Sequence, residues 1–163
     1  MTYEIVGARG RVPDPQAVVA RAQAWASERR AEVLLADAAV VFGRDHLESA
    51  VRHALRARAS GSGVARDLGL ETLRYLCGKR QVSEAIRAGG LKPSTEVIAV
   101  VVFESSAEGL LADLEWARDD SVLAPAGKSL RTLGITAIEE KSLPRESVAD
   151  LALERTALLD LDK

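Results

Sequence analysis

A chain of 163 residues with 47% hydrophobic and 28% charged side chains is sized for one domain with a real core. Aromatics at 4% leave that core to Leu, Val, Ile and Ala, and a single cysteine excludes both an internal disulfide framework and a cysteine-rich zinc site. The net charge of −2 hides an uneven spread: residues 1–43 balance, 44–92 carry ten Lys/Arg against five Asp/Glu, and 93–163 carry seven against fourteen. A basic middle reads either as a solvated face or as an anion or nucleic-acid footprint.

In chain order, "MTYEIVGARGRVPDP" lacks the basic-then-apolar layout of a signal peptide, so a cytoplasmic protein is expected. "TYEIVGA" reads as a strand with Tyr3, Ile5 and Gly7 on one face. Asp14-Pro15 supplies a cap and a first-turn proline for a helix through "QAVVARAQAWASER". "EVLLAD" and "AVVFG" are apolar runs of strand length, read as two elements or as one interrupted strand. From Arg44 to Arg58, Leu47, Val51, Ala54 and Leu55 recur at helical spacing, with Arg44, Arg52 and Arg56 pointing away. "ASGSG" at 59–63 is a loop. The next helix carries Leu70, Leu73 and Cys77 on one stripe and is interrupted by Gly78. A short helix with Val82, Ala85 and Ile86 follows, closed by "GGLKPST". "EVIAVVVFE" predicts a central strand covered on both faces, and its apolar run, the longest in the chain, is too short to span a membrane. Ser105 and Glu108 form a capping box for a helix through Trp116. "LAPAGKSLRTLG" reads as a turn and short helix, and "ITAIEE" as strand or loop. Pro144 starts a last helix with Val148, Leu151, Ala152 and Leu158. The order predicts a single α+β domain, a sheet layered with helices, rather than a doubly wound parallel sheet.

The chemical motifs mostly fail on spacing. Gly78-Lys79 lacks the first glycine and the hydroxyl residue of a phosphate loop, since Leu73 and Arg80 stand there. Gly127-Lys128-Ser129 has the hydroxyl, but Val122 replaces the glycine. "GARG" at 7–10 has two glycines and runs into "RVPDP" rather than a helix, so it is a turn and not a dinucleotide fingerprint. Cys77 sits on an apolar stripe, where a free thiol is packing rather than a nucleophile. His46 and His53 are seven apart, against the three or four of a metal pair on one helix, and read as surface or capping residues. No carboxylate pair stands out for catalysis. Asp119-Asp120 reads as a loop or helix end and Glu139-Glu140 as solvated.

Lys79 and Arg80 are different. They are expected in the first turn of the helix carrying Val82–Ile86, where unpartnered amides and the macrodipole are already positive. Cations there either pair with acids such as Glu84 or Glu71, or await a phosphate.

"LETLRYLCGKRQVSEAIRAGGLK" followed by an apolar strand resembles the pattern E-L-L-x-x-S-G-x-R-Q-I-x-x-A-I of the kinase-binding subunit of the KEOPS complex, the PRPK-binding protein family. Gly78, Arg80, Gln81, Ala85 and Ile86 match, Val82 replaces isoleucine, and Cys77 stands where the family has serine or another small residue. "GARG" after a strand and the "DHLESAVRHAL" helix fit as well. The resemblance implies a mainly antiparallel mixed sheet flanked by helices, and no catalytic, metal or cofactor site of its own. It further implies binding to the small kinase/ATPase subunit and to the 3′ CCA end of tRNA. Through these the chain would support threonylcarbamoyl transfer to the adenosine beside the anticodon, with the transferase subunit an indirect partner. On that reading Lys79, Arg80, Gln81, Arg87 and Lys92 contact the tRNA end. The kinase docks on an apolar face such as Val148, Leu151 and Leu158, and no membrane is involved. The alternative is a small enzyme or binding protein for a phosphorylated metabolite held by Lys79 and Arg80.

Overall fold

The computed structural model describes residues 1–141 and 148–161. Its four strands, β1 (Tyr3–Arg9), β2 (Glu32–Asp37), β3 (Val97–Phe103) and β4 (Ala117–Arg118), form one sheet in the order β2-β3-β1-β4, and every pairing is antiparallel. With seven helices around it among the described residues, the chain is α+β, as its element order predicts. Antiparallel pairing of β1 with the distant β3 places Ile5 opposite Val101 and Val6 opposite Val100.

Alternation along the strands divides the core into two layers. Ile5, Leu34, Ala99, Val101 and Phe103 face one way, toward α2 (Arg44–Ser60), α3 (Leu68–Cys77) and α7 (Val148–Leu161). Val6, Ala8, Val33, Leu35, Val100 and Val102 face α1 (Pro15–Glu28) and α5 (Ala107–Leu114). β3 is therefore buried on both faces, which is why its Val/Ile run does not alternate with polar residues.

The helices start where local chemistry directs. Asp14 accepts from the Ala17 amide at 3.2 Å with Pro15 in the first turn, and Asp67 accepts from Leu70 at 2.8 Å to open α3. Three expectations shift. "AVVFG" is not a strand: the Asp37 carboxylate caps the Ala39 amide at 2.9 Å and turns Ala38–Val40 into a 3-10 turn. Helix α5 is capped by Ser106 rather than Ser105, and it ends at Leu114 because Glu115 turns left-handed at φ 59°. "ITAIEE" runs into the short helix α6 (Ala137–Lys141), started by Thr136 accepting the Glu139 amide at 3.1 Å. The expected start of the last helix at Pro144 lies outside the described residues. Among the described residues no helix is long and apolar enough to cross a membrane.

Candidate nucleic-acid interface

The basic loop is built from the end of α3. Gly78 adopts φ 63°, the left-handed conformation in which glycine carries no Cβ penalty, and Lys79 N–H returns to the Arg74 carbonyl at 2.9 Å. The chain then passes Lys79 and Arg80 before α4 (Val82–Gly89), whose cap position is Gln81. Lys79 and Arg80 thus precede the cap instead of occupying the first turn, because the Schellman-type reversal at Gly78 consumes two residues before helical geometry resumes. Gln81 makes no side-chain cap, and the start of α4, where helix amides lack intrahelical partners, follows directly on the two cations.

A buried ion pair sets the position of this loop. Arg74 donates to Glu71 at 2.5 Å, with both side chains nearly inaccessible, and its Nε donates to the Arg80 carbonyl at 2.7 Å. The other Glu71 oxygen accepts the amides of Val64 and Ala65 at 3.1 and 2.7 Å. One carboxylate and one guanidinium therefore lock two loops on either end of α3, at 61–67 and 78–81. In the sequence Arg74 is one of the ten cations of the basic middle segment. The usable signal was its i,i+3 spacing from Glu71 on an otherwise apolar helix.

That pair and others trim the basic excess of residues 44–92. Arg58 clasps Glu32 through both nitrogens at 2.6 and 2.8 Å, Arg52 reaches Glu48, and Arg44 donates to the Ile5 carbonyl. Among the described residues Lys79, Arg80 and Arg87 carry no ion pair, and Lys92 only donates to the Gly90 carbonyl at 3.2 Å. Arg80, Gln81, Arg87 and Lys92 are exposed. Lys79 is half-buried, with its ammonium beside Gly134. The five residues lie on one loop, on α4 and just past its end.

Ile86, expected on the apolar stripe of α4, is instead 47% exposed, while Ala85 and Gly89 make the inward contact. Cys77 explains the small residues: a Cβ on Gly89 would meet its Sγ at 2.6 Å. The thiol is fully buried, and burial pushes its pKa up to about 12, so it packs and does not react.

The histidines are more deeply placed than expected. His46 is fully buried in the first turn of α2, where Nδ1 accepts the Phe42 amide at 3.0 Å. Nε2 must then carry the proton, and it faces the Leu76 carbonyl at 3.1 Å. Burial depresses its pKa to about 4, so the ring is neutral. Bonded to the backbone of Phe42 ahead of the helix and of Leu76 on α3, it is a core residue rather than a surface or capping one. His53 stacks on Tyr75 at 5.1 Å, and its Nδ1 lies 2.5 Å from Asp160 on α7. No three ligating side chains gather among the described residues. On α7, Ala152, Thr156 and Leu159 face the core, Leu151 packs partly against it, and Leu158 is exposed. Val148 opens the helix, and its side chain lies outside the described residues.

The sequence model of the family described as Kinase binding protein CGI-121 matches residues 14–143, from the cap of α1 through the cationic loop and the whole sheet apart from β1 to just past α6. No curated protein matches the chain. The chain belongs to this kinase-binding family, the one its central motif resembles.

Proposed function

We propose that the chain is a non-catalytic cytoplasmic subunit of a KEOPS-type complex. It binds the small kinase/ATPase subunit and holds the 3′ CCA end of tRNA on Lys79, Arg80, Gln81, Arg87 and Lys92, and so supports threonylcarbamoylation beside the anticodon by the transferase subunit. Family membership carries the kinase-binding half. The observation that supports the tRNA half is that Lys79 and Arg80, unpaired with acids, immediately precede the uncapped start of α4, with Arg87 in its last turn and Lys92 just past its end. Such a terminus accepts phosphate oxygens, and a single-stranded end can reach it and rest its bases on neighbouring side chains. Exposed Leu158 and Leu161, three apart on α7, suit the proposed kinase contact. The metabolite alternative, held by Lys79 and Arg80, gains no nucleophile or base from Cys77 or His46, both sealed in the core.

Gel-shift with intact tRNA and with tRNA lacking CCA, using wild type and the Lys79→Glu/Arg80→Glu variant, tests the tRNA half. Wild type should favour intact tRNA and the variant should lose that preference. Equal binding of both RNAs by both proteins would sink it.

A further inference from the structure

The last helix grips the residue from which the cationic loop springs. The inward face of α7 is Ala152, Thr156 and Leu159, and the buried Thr156 hydroxyl donates to the Tyr75 carbonyl at 2.9 Å. One turn on, Asp160 accepts the Tyr75 hydroxyl at 2.6 Å with one oxygen and faces His53 Nδ1 with the other. Helix α7 therefore holds Tyr75 at both its backbone and its phenol.

Tyr75 and its neighbour Arg74 are what the loop hangs from. The Arg74 carbonyl accepts Lys79 N–H at 2.9 Å, and its guanidinium holds the Arg80 carbonyl at 2.7 Å. Gly78 N–H closes the reversal on the Tyr75 carbonyl at 3.3 Å, the longest of the three bonds and made to the oxygen that Thr156 also takes. Glu71 fixes Arg74 within the core, so the Arg80 end of the loop is anchored independently of α7. The Gly78 end is not. A Cβ built on Gly78 would stand 3.5 Å from the Cβ and carbonyl oxygen of Arg155, which is van der Waals contact with α7. The Lys79 ammonium lies beside Gly134, which ends the 3-10 turn Leu130–Leu133, and that turn also packs on α7.

We propose that α7 is the positioning element of the anion site and that Thr156 is its decisive contact. With α7 seated, the reversal at Gly78 presents Lys79 and Arg80 together before α4; when α7 shifts, the Gly78 end is released and anion affinity falls. The inference rests on the reading of Lys79 and Arg80 as tRNA contacts. A ligand biases such an equilibrium only through contacts that differ between its two states, here the Thr156 hydrogen bond and the packing of Arg155 on Gly78. Linkage makes the effect mutual: bound tRNA steadies α7, and a partner that holds α7 seated through exposed Leu158 and Leu161 strengthens tRNA binding.

The test measures affinity for intact tRNA in the whole chain and in Thr156→Val, Thr156→Ser and Tyr75→Phe, with amide exchange of α7 read in the presence and absence of tRNA. Thr156→Val keeps the side-chain shape and removes the hydroxyl; it should weaken binding about fivefold, the change that one hydrogen bond supplies. Thr156→Ser should restore it. Tyr75→Phe removes the hydroxyl that holds Asp160, keeps the ring that stacks on His53, and should also weaken binding. Ile98→Val trims the core layer under α1 and α5, on the other face of the sheet, and should leave affinity unchanged. In wild type tRNA should slow exchange along α7, and Thr156→Val should remove that protection. Affinity unmoved by either Thr156→Val or Tyr75→Phe, a loss that serine does not restore, or an equal loss in Ile98→Val overturns the proposal while tRNA binding by wild type stands. So does wild-type α7 exchange that tRNA leaves unchanged. Wild type that fails to bind tRNA, or that binds it equally well as Lys79→Glu/Arg80→Glu, overturns the reading of the site and this inference with it.

Discussion

Replacing Arg74 with methionine should loosen the cationic loop through the core. The guanidinium and the Glu71 carboxylate are 2% and 3% exposed and 2.5 Å apart, so neither can turn to water when its partner is removed. Arg74→Met leaves a buried carboxylate held only by the Val64 and Ala65 amides and an Arg80 carbonyl with no donor. Breaking a buried pair on one side costs about 3–5 kcal/mol. Removing both charges with Glu71→Leu/Arg74→Met should cost clearly less than the sum of the single changes, with a coupling of about 2 kcal/mol. Urea unfolding of the four proteins at neutral pH measures this cycle. A single-variant loss below about 1 kcal/mol, or strict additivity, would refute the view that this pair anchors both loops.

His46 predicts an acid-side loss of stability. Its folded pKa is depressed to about 4, so the neutral ring's contribution is intact above the unfolded value. It falls away as pH drops from about 6.5 toward 4, by about 3 kcal/mol in all. Urea melts across that window should steepen for wild type and flatten for His46→Asn; equal slopes would contradict the buried neutral imidazole. Cys77, with its pKa pushed up to about 12, should resist thiol reagents at pH 8 in the native chain and react at once in urea. Rapid modification of folded protein would overturn its packing role. Thr72 has a fully buried hydroxyl without a hydrogen-bond partner among the described residues, so Thr72→Val should raise stability by about 1 kcal/mol in the same assay. A loss of that size would mean the hydroxyl is satisfied.

Strand and helix identity was legible wherever periodicity and a cap agreed: Asp14-Pro15, the Val/Ile run of β3 and Gly78 all carry their reason locally. What was not legible depends on neighbours distant in sequence. "AVVFG" has strand composition, but Asp37 turns it. His46 looks like any polar residue of a helix start until Phe42 and Leu76 close on it. The candidate site was half visible. Its cations could be named, yet which of the ten basic residues stay unpaired was decided by partners such as Glu32 and Glu71, one far along the chain and one on the same helix. The packing of Gly69 against the edge of β2 was invisible, because the phase of a sheet exists only once β1, β2 and β3 are paired.

The central claim, a subunit that joins a kinase to tRNA, is tested most directly by tethering tRNA to a surface and flowing the small kinase subunit over it. The account predicts that retention of the kinase is strengthened by adding this chain, and that the gain is lost both with the Lys79→Glu/Arg80→Glu variant and with tRNA trimmed of CCA. Kinase retention indifferent to the chain, or a gain that survives both changes, would contradict it.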